Sequence, residues 1–195
     1  MTGPLARQED ALREMVHIGS AQAASMLARL VGDVGVLVEA PTVLEVPRAQ
    51  LPWLMGGRDV DVLAASFVLE GDVPGALWWV LPADSAERLG HRLLRRPGVS
   101  GPLAASSEAA LTEAANIVAS ACCSSLGSML KAKVLPSTPR MVRTTIEGLV
   151  ATGSGAAETI ILAGFVSTNA PTFAGTLAVL WPTDVAAKVL ARVGL

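Results

Sequence analysis

A Glu-x-x-Asn pair, Glu113 and Asn116, is the combination of residues in this sequence that is best suited to chemistry. Residues three apart share one face of a helix, so the two side chains would act together. A carboxamide has a donor and an acceptor and holds a water molecule in one orientation, and a carboxylate pairs with a partner's lysine or arginine. This suits in-line hydrolysis of a phosphoryl group, where positioning the water supplies much of the catalysis. The same spacing also arises by chance on solvated helices, so the pair alone does not distinguish a site from a plain surface.

Other kinds of reactive site lack the residues that they need. The sequence has no phosphate-binding P-loop, no Gly-rich dinucleotide motif and no Cys/His spacing for zinc. Its two histidines leave little scope for a Ser-His-Asp triad, and Gly153-Ser154-Gly155 lacks the strand-to-helix context of a nucleophile elbow. Cys122 and Cys123 are adjacent and would point ~100° apart on a helix, which disfavours a disulfide between them. We therefore expect this chain to bind no metal or cofactor of its own.

The residues around the pair predict a long helix, and the N-terminal residues predict a second one. An apolar stripe at helical spacing would face the core in each. The predicted buried residues are Leu111, Val118, Cys122, Leu126 and Met129 in one helix, and Leu12, Ala23, Leu27 and Leu30 in the other. The predicted open faces are Ala109, Glu113, Asn116, Ser120, Cys123 and Gly127, and Asp10, Glu14, His17, Ala21, Ala24 and Ala28. Each open face places two functional groups beside small residues.

The two halves of the chain are similar to each other. At an offset of 99 residues Glu14 aligns with Glu113, Ile18 with Ile117 and Ser25 with Ser124, and at an offset of 100 Pro82 aligns with Pro182. Ordered matches at both ends of a half predict a single domain, 1–195, built of two repeats at about 8–96 and 103–195. The Pro- and Gly-rich segment 97–102 is the predicted joint.

Apolar runs bounded by turn residues predict the strands of each repeat. They fall at 61–70, 76–81, 159–166 and 176–181, with further strands near Val43–Val46 and Met141–Val150. A short helix closes each repeat, and Asp84-Ser85-Ala86-Glu87 resembles a capping box at the start of the first. We expect His91, among Arg92, Arg95 and Arg96, to be a solvated residue at that helix's C-terminus.

These elements predict an α+β fold. A pseudo-twofold duplicated α-β-β-β-α unit would place two long helices on one face of a shared antiparallel six-stranded sheet.

The composition narrows the class of protein. The chain has 195 residues, 51% of them hydrophobic and 16% charged, with a net charge of -2. Such a chain buries a core rather than remaining disordered, and it has no basic excess for a nucleic-acid backbone. No stretch approaches the ~20 uninterrupted apolar residues of a membrane span, and the acidic N-terminal region is unlike a secretory signal. We therefore expect a soluble, cytoplasmic protein with neither nucleic acid nor membrane as a partner.

The duplicated frame and its motifs resemble the CheC/CheX/FliY family of chemotaxis phosphatases. The family motif is Asp or Ser, three residues, Glu, two residues, Asn, then about 22 residues and Pro. The second repeat offers Glu113, Asn116 and Pro139, with Ala109 where Asp or Ser is expected. The first repeat offers Asp10, Glu14 and Pro41, with His17 in place of Asn and one extra residue before the proline. The length and duplication are most similar to the CheC branch.

The resemblance implies a phosphatase that acts on a phosphorylated CheY-like response regulator. Asn116 would orient the attacking water, Glu113 would engage the regulator's lysine, and Pro139 and Pro41 would be structural. The phosphoaspartate and its Mg²⁺ belong to the partner. His17 could hydrogen-bond a water, but its ring differs in reach from a carboxamide and changes charge near pH 6–7. Ala109 removes a polar group from the rim of the second site.

A second class of function stays open at this point. The chain could be a non-catalytic adaptor that binds a receiver domain, the receptor deamidase CheD or flagellar switch components, since its two departures from the motif also fit drift away from catalysis. Trp53 is a candidate exposed anchor for a partner, or a cover for the edge of the core. Trp78 and Trp79 would point to opposite faces of a strand.

Overall fold

Six α-helices and eight strands make up the described part of the chain. The computed structural model describes residues 4–32, 35–95, 105–153, 157–168 and 172–192, so the predicted joint, Arg96, Ser154 and Gly155 lie outside the described residues. The helices are α1 (Pro4–Leu30), α2 (Leu51–Leu54), α3 (Ala83–Leu93), α4 (Ala105–Leu130), α5 (Ile146–Ala151) and α6 (Thr183–Arg192). The strands are β1 (Val36–Val38), β2 (Thr42–Pro47), β3 (Asp61–Gly71), β4 (Gly75–Pro82), β5 (Val134–Pro136), β6 (Arg140–Thr145), β7 (Ala157–Ser167) and β8 (Ala174–Pro182).

The strands form one antiparallel sheet that is six positions wide. Each edge position is divided between two short strands, because β1 and β2 pair with successive parts of β7 while β5 and β6 pair with successive parts of β3. The inner positions follow the order β7-β8-β4-β3. The predicted α+β fold with an antiparallel sheet is thus confirmed, with eight strands in place of six.

The edge strands connect the two halves of the chain. The β2 strand of the first half pairs with β7 of the second, and β6 of the second pairs with β3 of the first. The order of elements is the same in both halves, helix, two edge strands, short helix, hairpin, helix. Duplication as the origin of this order stays a prediction.

Alternating strand residues build a core on each face of the sheet. Trp79 belongs to the larger core, together with residues of α1, α3, α4 and α6. Trp78 belongs to a smaller core on the opposite face, with Leu51 of α2 and Leu149 of α5. The short helices α2 and α5 were not predicted, because four and six residues are too few for a helical period to stand out.

The segment near Met141–Val150 forms a strand only in its first part. The β6 strand ends at Thr145, whose hydroxyl accepts a hydrogen bond from the Gly148 amide at 3.2 Å and so caps α5. The prediction of a strand through Val150 was therefore wrong. A side-chain cap satisfies an amide that would otherwise lack a partner, which favours a helix from this point.

Two expectations for α3 were also wrong. The helix begins at Ala83 after Pro82, so Asp84 lies in the first turn and does not form the capping box. Its carboxylate accepts hydrogen bonds from the Arg88 guanidinium and the Ser85 amide, both at 2.7 Å, and the bond from Arg88 lowers the pKa of Asp84. His91 is buried rather than solvated.

The long helices also bury residues outside the single apolar stripe that the sequence predicts for each. The predicted core residues Leu111, Val118, Cys122 and Leu126 are buried, and Met129 is half-buried. Cys123 and Ala24 are buried as well, contrary to their predicted place on open faces, because α1 and α4 pack against each other as well as against the sheet. Leu30, at the end of α1, is partly exposed instead of buried.

Among the described helices, α4 alone is long and apolar enough for a membrane span by length and composition. The core helix of a soluble protein passes the same test, and the buried side of α4 lies in the larger core.

Candidate functional site

An open groove runs along the side of α4 that faces away from the sheet. Glu113 is exposed in it and Asn116 is half-buried, one turn further along the helix. The groove has a volume of about 450 Å³. Its lining residues are Glu113, Asn116, Ile117, Ser120, Ala121 and Ser124 of α4 and Gln22 and Met26 of α1. The sequence-predicted pair therefore lies where another molecule has access to both side chains.

The opposite side of α4 fixes the orientation of the pair. Leu111, Ala115 and Val118 are buried in the larger core, so the helix cannot rotate without exposing them. Near its start, Glu108 accepts a hydrogen bond at 3.2 Å from Arg143 of β6. Within the described part of the chain Glu113 has no hydrogen bond or ion pair, so its carboxylate is available to a cation of another molecule.

The corresponding residues of α1 have different surroundings. Asp10 and Glu14 are exposed, but Asp10 accepts a hydrogen bond from Arg13 at 2.7 Å and so has a local cationic partner. His17 is half-buried, and its Nδ1 atom is buried without a hydrogen-bond partner among the described residues. The His17 ring thus turns one nitrogen toward the interior, where it does not meet a water bound at the surface.

The two motif prolines occupy equivalent places at the sheet edges. Pro41 lies between β1 and β2, and Pro139 lies between β5 and β6. Proline has no amide hydrogen for a ladder, so each residue fits the point at which an edge strand is interrupted. A structural role for both prolines stays a prediction.

Two comparisons with known sequences bear on the α4 site. The family model described as the CheC-like family matches residues 107–143, which include Glu113, Asn116 and Pro139. The CheY-P phosphatase CheC of Bacillus subtilis (strain 168) is 29% identical over 137 residues, and the match covers 69% of this chain and 65% of that relative.

Solved structures share the whole fold. FliY of Thermotoga maritima superposes with a TM-score of 0.78 at 16% identity, covering 100% of this chain and 98% of that one. CheX in a CheX-CheY-BeF3-Mg²⁺ complex from Borrelia burgdorferi gives a TM-score of 0.58 at 16% identity, over 87% of this chain and 97% of that one. The chain is thus similar in sequence to CheC and shares the fold of FliY and CheX.

The same fold also occurs in the FliM middle domain from H. pylori. That structure has a TM-score of 0.66 at 10% identity and covers 95% of this chain and 98% of its own. The fold therefore does not by itself distinguish a phosphatase from a FliM-like protein.

One family position is altered in the α4 site and one feature was not predicted. Ala109 is exposed one turn before Glu113, so the rim of the groove has a methyl group where the family motif has Asp or Ser. Gln22 and Met26 form part of the groove although they belong to the other repeat. Their role could not be read from the motif, because only the packing of α1 on α4 brings them beside Asn116.

Trp53 is 66% exposed on α2. Since α2 packs on the smaller core, Trp53 lies on the face of the sheet opposite α1 and α4. A partner anchored by Trp53 would therefore bind away from the groove.

Proposed function

We propose that this protein accelerates hydrolysis of the phosphoaspartate of a CheY-type response regulator, in the cytoplasm. The observation that carries the proposal is the exposure of Glu113 and Asn116 on one face of α4, at the positions of the family motif. The related CheC is named a CheY-P phosphatase, and a CheX relative forms a complex with CheY.

In this proposal the partner supplies the reactive group and its Mg²⁺, and this chain supplies position and charge. Glu113 pairs with a lysine beside the regulator's phosphoaspartate and docks the two proteins. The Asn116 carboxamide holds a water in line with the bond from phosphorus to the aspartate oxygen. The water oxygen forms the new bond to phosphorus while the bond to the aspartate oxygen breaks, which releases inorganic phosphate and restores the carboxylate.

The test measures decay of a phosphorylated CheY-type receiver domain with and without this protein. We expect a shorter phosphoryl lifetime with the wild type and a loss of about 10²-fold in turnover with Asn116→Ala, which is the scale of effect for a displaced reacting group. Ser128→Ala, at an exposed α4 position outside the groove, is the matched control and should leave turnover unchanged. No acceleration at high protein concentration would refute the proposal.

Glu14→Ala, measured beside Asn116→Ala, assigns turnover to one half of the chain. We expect little change from Glu14→Ala, since the first motif has His17 in place of the asparagine and Asp10 is paired with Arg13.

The second candidate is a non-catalytic adaptor for a receiver domain, CheD or flagellar switch components. The shared fold with FliM favours it, as do the departures at His17 and Ala109. Binding of the receiver without turnover, unchanged by Asn116→Ala, is the result that would support the adaptor.

A further inference from the structure

The groove at Asn116 has walls from both halves of the chain. Ile117 and Ser120 of α4 form one wall, and Gln22 and Met26 of α1 form the other. Gln22 is exposed and Met26 is half-buried, so both side chains are accessible to a molecule that enters the groove.

The packing of the two long helices sets these residues opposite Asn116. Gly19 of α1 lies against Cys122 and Leu126 of α4. Further along α1, Gln22 and Met26 share the groove with the earlier α4 residues Glu113 and Asn116. The helices therefore run in opposite directions, and the C-terminal half of α1 borders the N-terminal half of α4.

The equivalent positions on α4 have much smaller side chains. At the offset of 99 residues that aligns the halves, Gln22 corresponds to Ala121 and Met26 to Ser125. The Glu113/Asn116 site thus receives a carboxamide and a thioether from the other half. The predicted duplication would give the Glu14/His17 site only a methyl and a hydroxyl group, those of Ala121 and Ser125.

We infer that Gln22 and Met26 are docking residues for the phosphorylated receiver domain, an inference that rests on the proposed function. Methionine is flexible and polarizable and adapts to an apolar partner surface, and a glutamine carboxamide donates to and accepts from an exposed backbone. The two residues act on the affinity for the receiver, while Asn116 acts on the hydrolysis of its phosphoryl group. The second repeat's site is therefore completed by the first repeat.

Steady-state kinetics with a phosphorylated CheY-type receiver domain separates the two roles. We expect Gln22→Ala and Met26→Ala each to raise KM about threefold to tenfold, the scale of one lost hydrogen bond or side-chain contact, with kcat unchanged. Asn116→Ala should lower kcat instead. Met26→Leu, which keeps the apolar volume, should restore the wild-type KM, and Ser25→Ala, exposed on α1 outside the groove, is the control.

The affinity for the same receiver domain, activated with BeF3⁻ and Mg²⁺, tests the docking role without any turnover. Weaker binding by Gln22→Ala and Met26→Ala supports it even if the wild type proves to be an adaptor without phosphatase activity. Wild-type turnover with an unchanged KM in both variants would overturn the docking role while leaving the proposed function intact. Absence of both turnover and binding in the wild type would overturn both.

Discussion

Gly19 of α1 lies directly against Cys122 of α4. A Cβ atom at position 19 would be 3.4 Å from the Cys122 Sγ atom and 3.7 Å from its carbonyl oxygen. This is van der Waals contact, so the helices are as close as a methyl group permits. The spacing between α1 and α4, and with it the shape of the groove, depends on the small residue at position 19.

We expect Gly19→Ala to raise the free energy of unfolding by about 0.5–1 kcal/mol, because alanine favours a helix interior over glycine and its methyl group fits the contact. Gly19→Leu should lower it by about 1–3 kcal/mol, since the larger side chain would force α1 and α4 apart. Urea unfolding of the two variants checks both signs. Equal stability of Gly19→Leu and the wild type would contradict the close packing.

Glu113 should dock its partner through charge. We expect Glu113→Gln to raise KM for the phosphorylated receiver roughly tenfold and to weaken the dependence of KM on salt, because an exposed charge pair is screened by added ions. The measurement is KM at low and high ionic strength. Glu108→Gln is the matched control, since Glu108 lies on the same helix but pairs with Arg143 and is not part of the groove. If Glu108→Gln raised KM as much as Glu113→Gln, the net charge of the protein rather than Glu113 itself would account for the attraction.

The first motif can be tested by restoring its carboxamide. We expect the double variant Asn116→Ala/His17→Asn to recover roughly one tenth of wild-type kcat/KM. Its restored site would face Ala121 and Ser125 instead of Gln22 and Met26, and a loss of about 1.4 kcal/mol in docking free energy is a tenfold effect. The comparison is with Asn116→Ala alone. Full recovery would mean that the wall opposite Asn116 does not matter.

The two cysteines should be unreactive in the folded protein. Burial raises the pKa of the Cys123 thiol to about 12 and raises that of Cys122 further beyond its ordinary range, so neither forms a thiolate near neutral pH. We expect labelling by a thiol reagent at pH 8 to proceed only as fast as the protein opens, and at the ordinary rate in urea. Because the folded pKa values lie above the unfolded value of 9.0, stability should fall as the pH rises from about 9 toward 12. Rapid labelling of the native protein would show that at least one thiol is exposed, contrary to this expectation.

The hairpin strands were predictable because their apolar runs are long and bounded by turn residues. The strands β3, β4, β7 and β8 begin and end within a few residues of the predicted positions. The Glu113/Asn116 face was predictable for a similar reason, since the apolar stripe of α4 fixes the opposite side.

Features that depend on contacts between distant segments were not predictable. Cys123 was misplaced because a single helical period describes one buried face, whereas α4 packs against α1 as well as the sheet. Nothing in the sequence around Gln22 and Met26 indicates a site. They become part of the groove only because α1 packs against α4. His91 is buried although the basic residues that follow it indicated a solvated helix end.

The exchange of edge strands between the halves determines when the sheet can close during synthesis. Val43 of β2 pairs with Ile161 of β7, so the first half emerges from the ribosome long before its edge strand can find a partner. Pairing across so much of the chain is slow, and an unpaired edge is prone to aggregation while it waits. The β3 edge can pair with β5 and β6 before the last hairpin is made, whereas β2 must wait for β7. Folding of this protein is therefore expected to finish only after translation of the last hairpin.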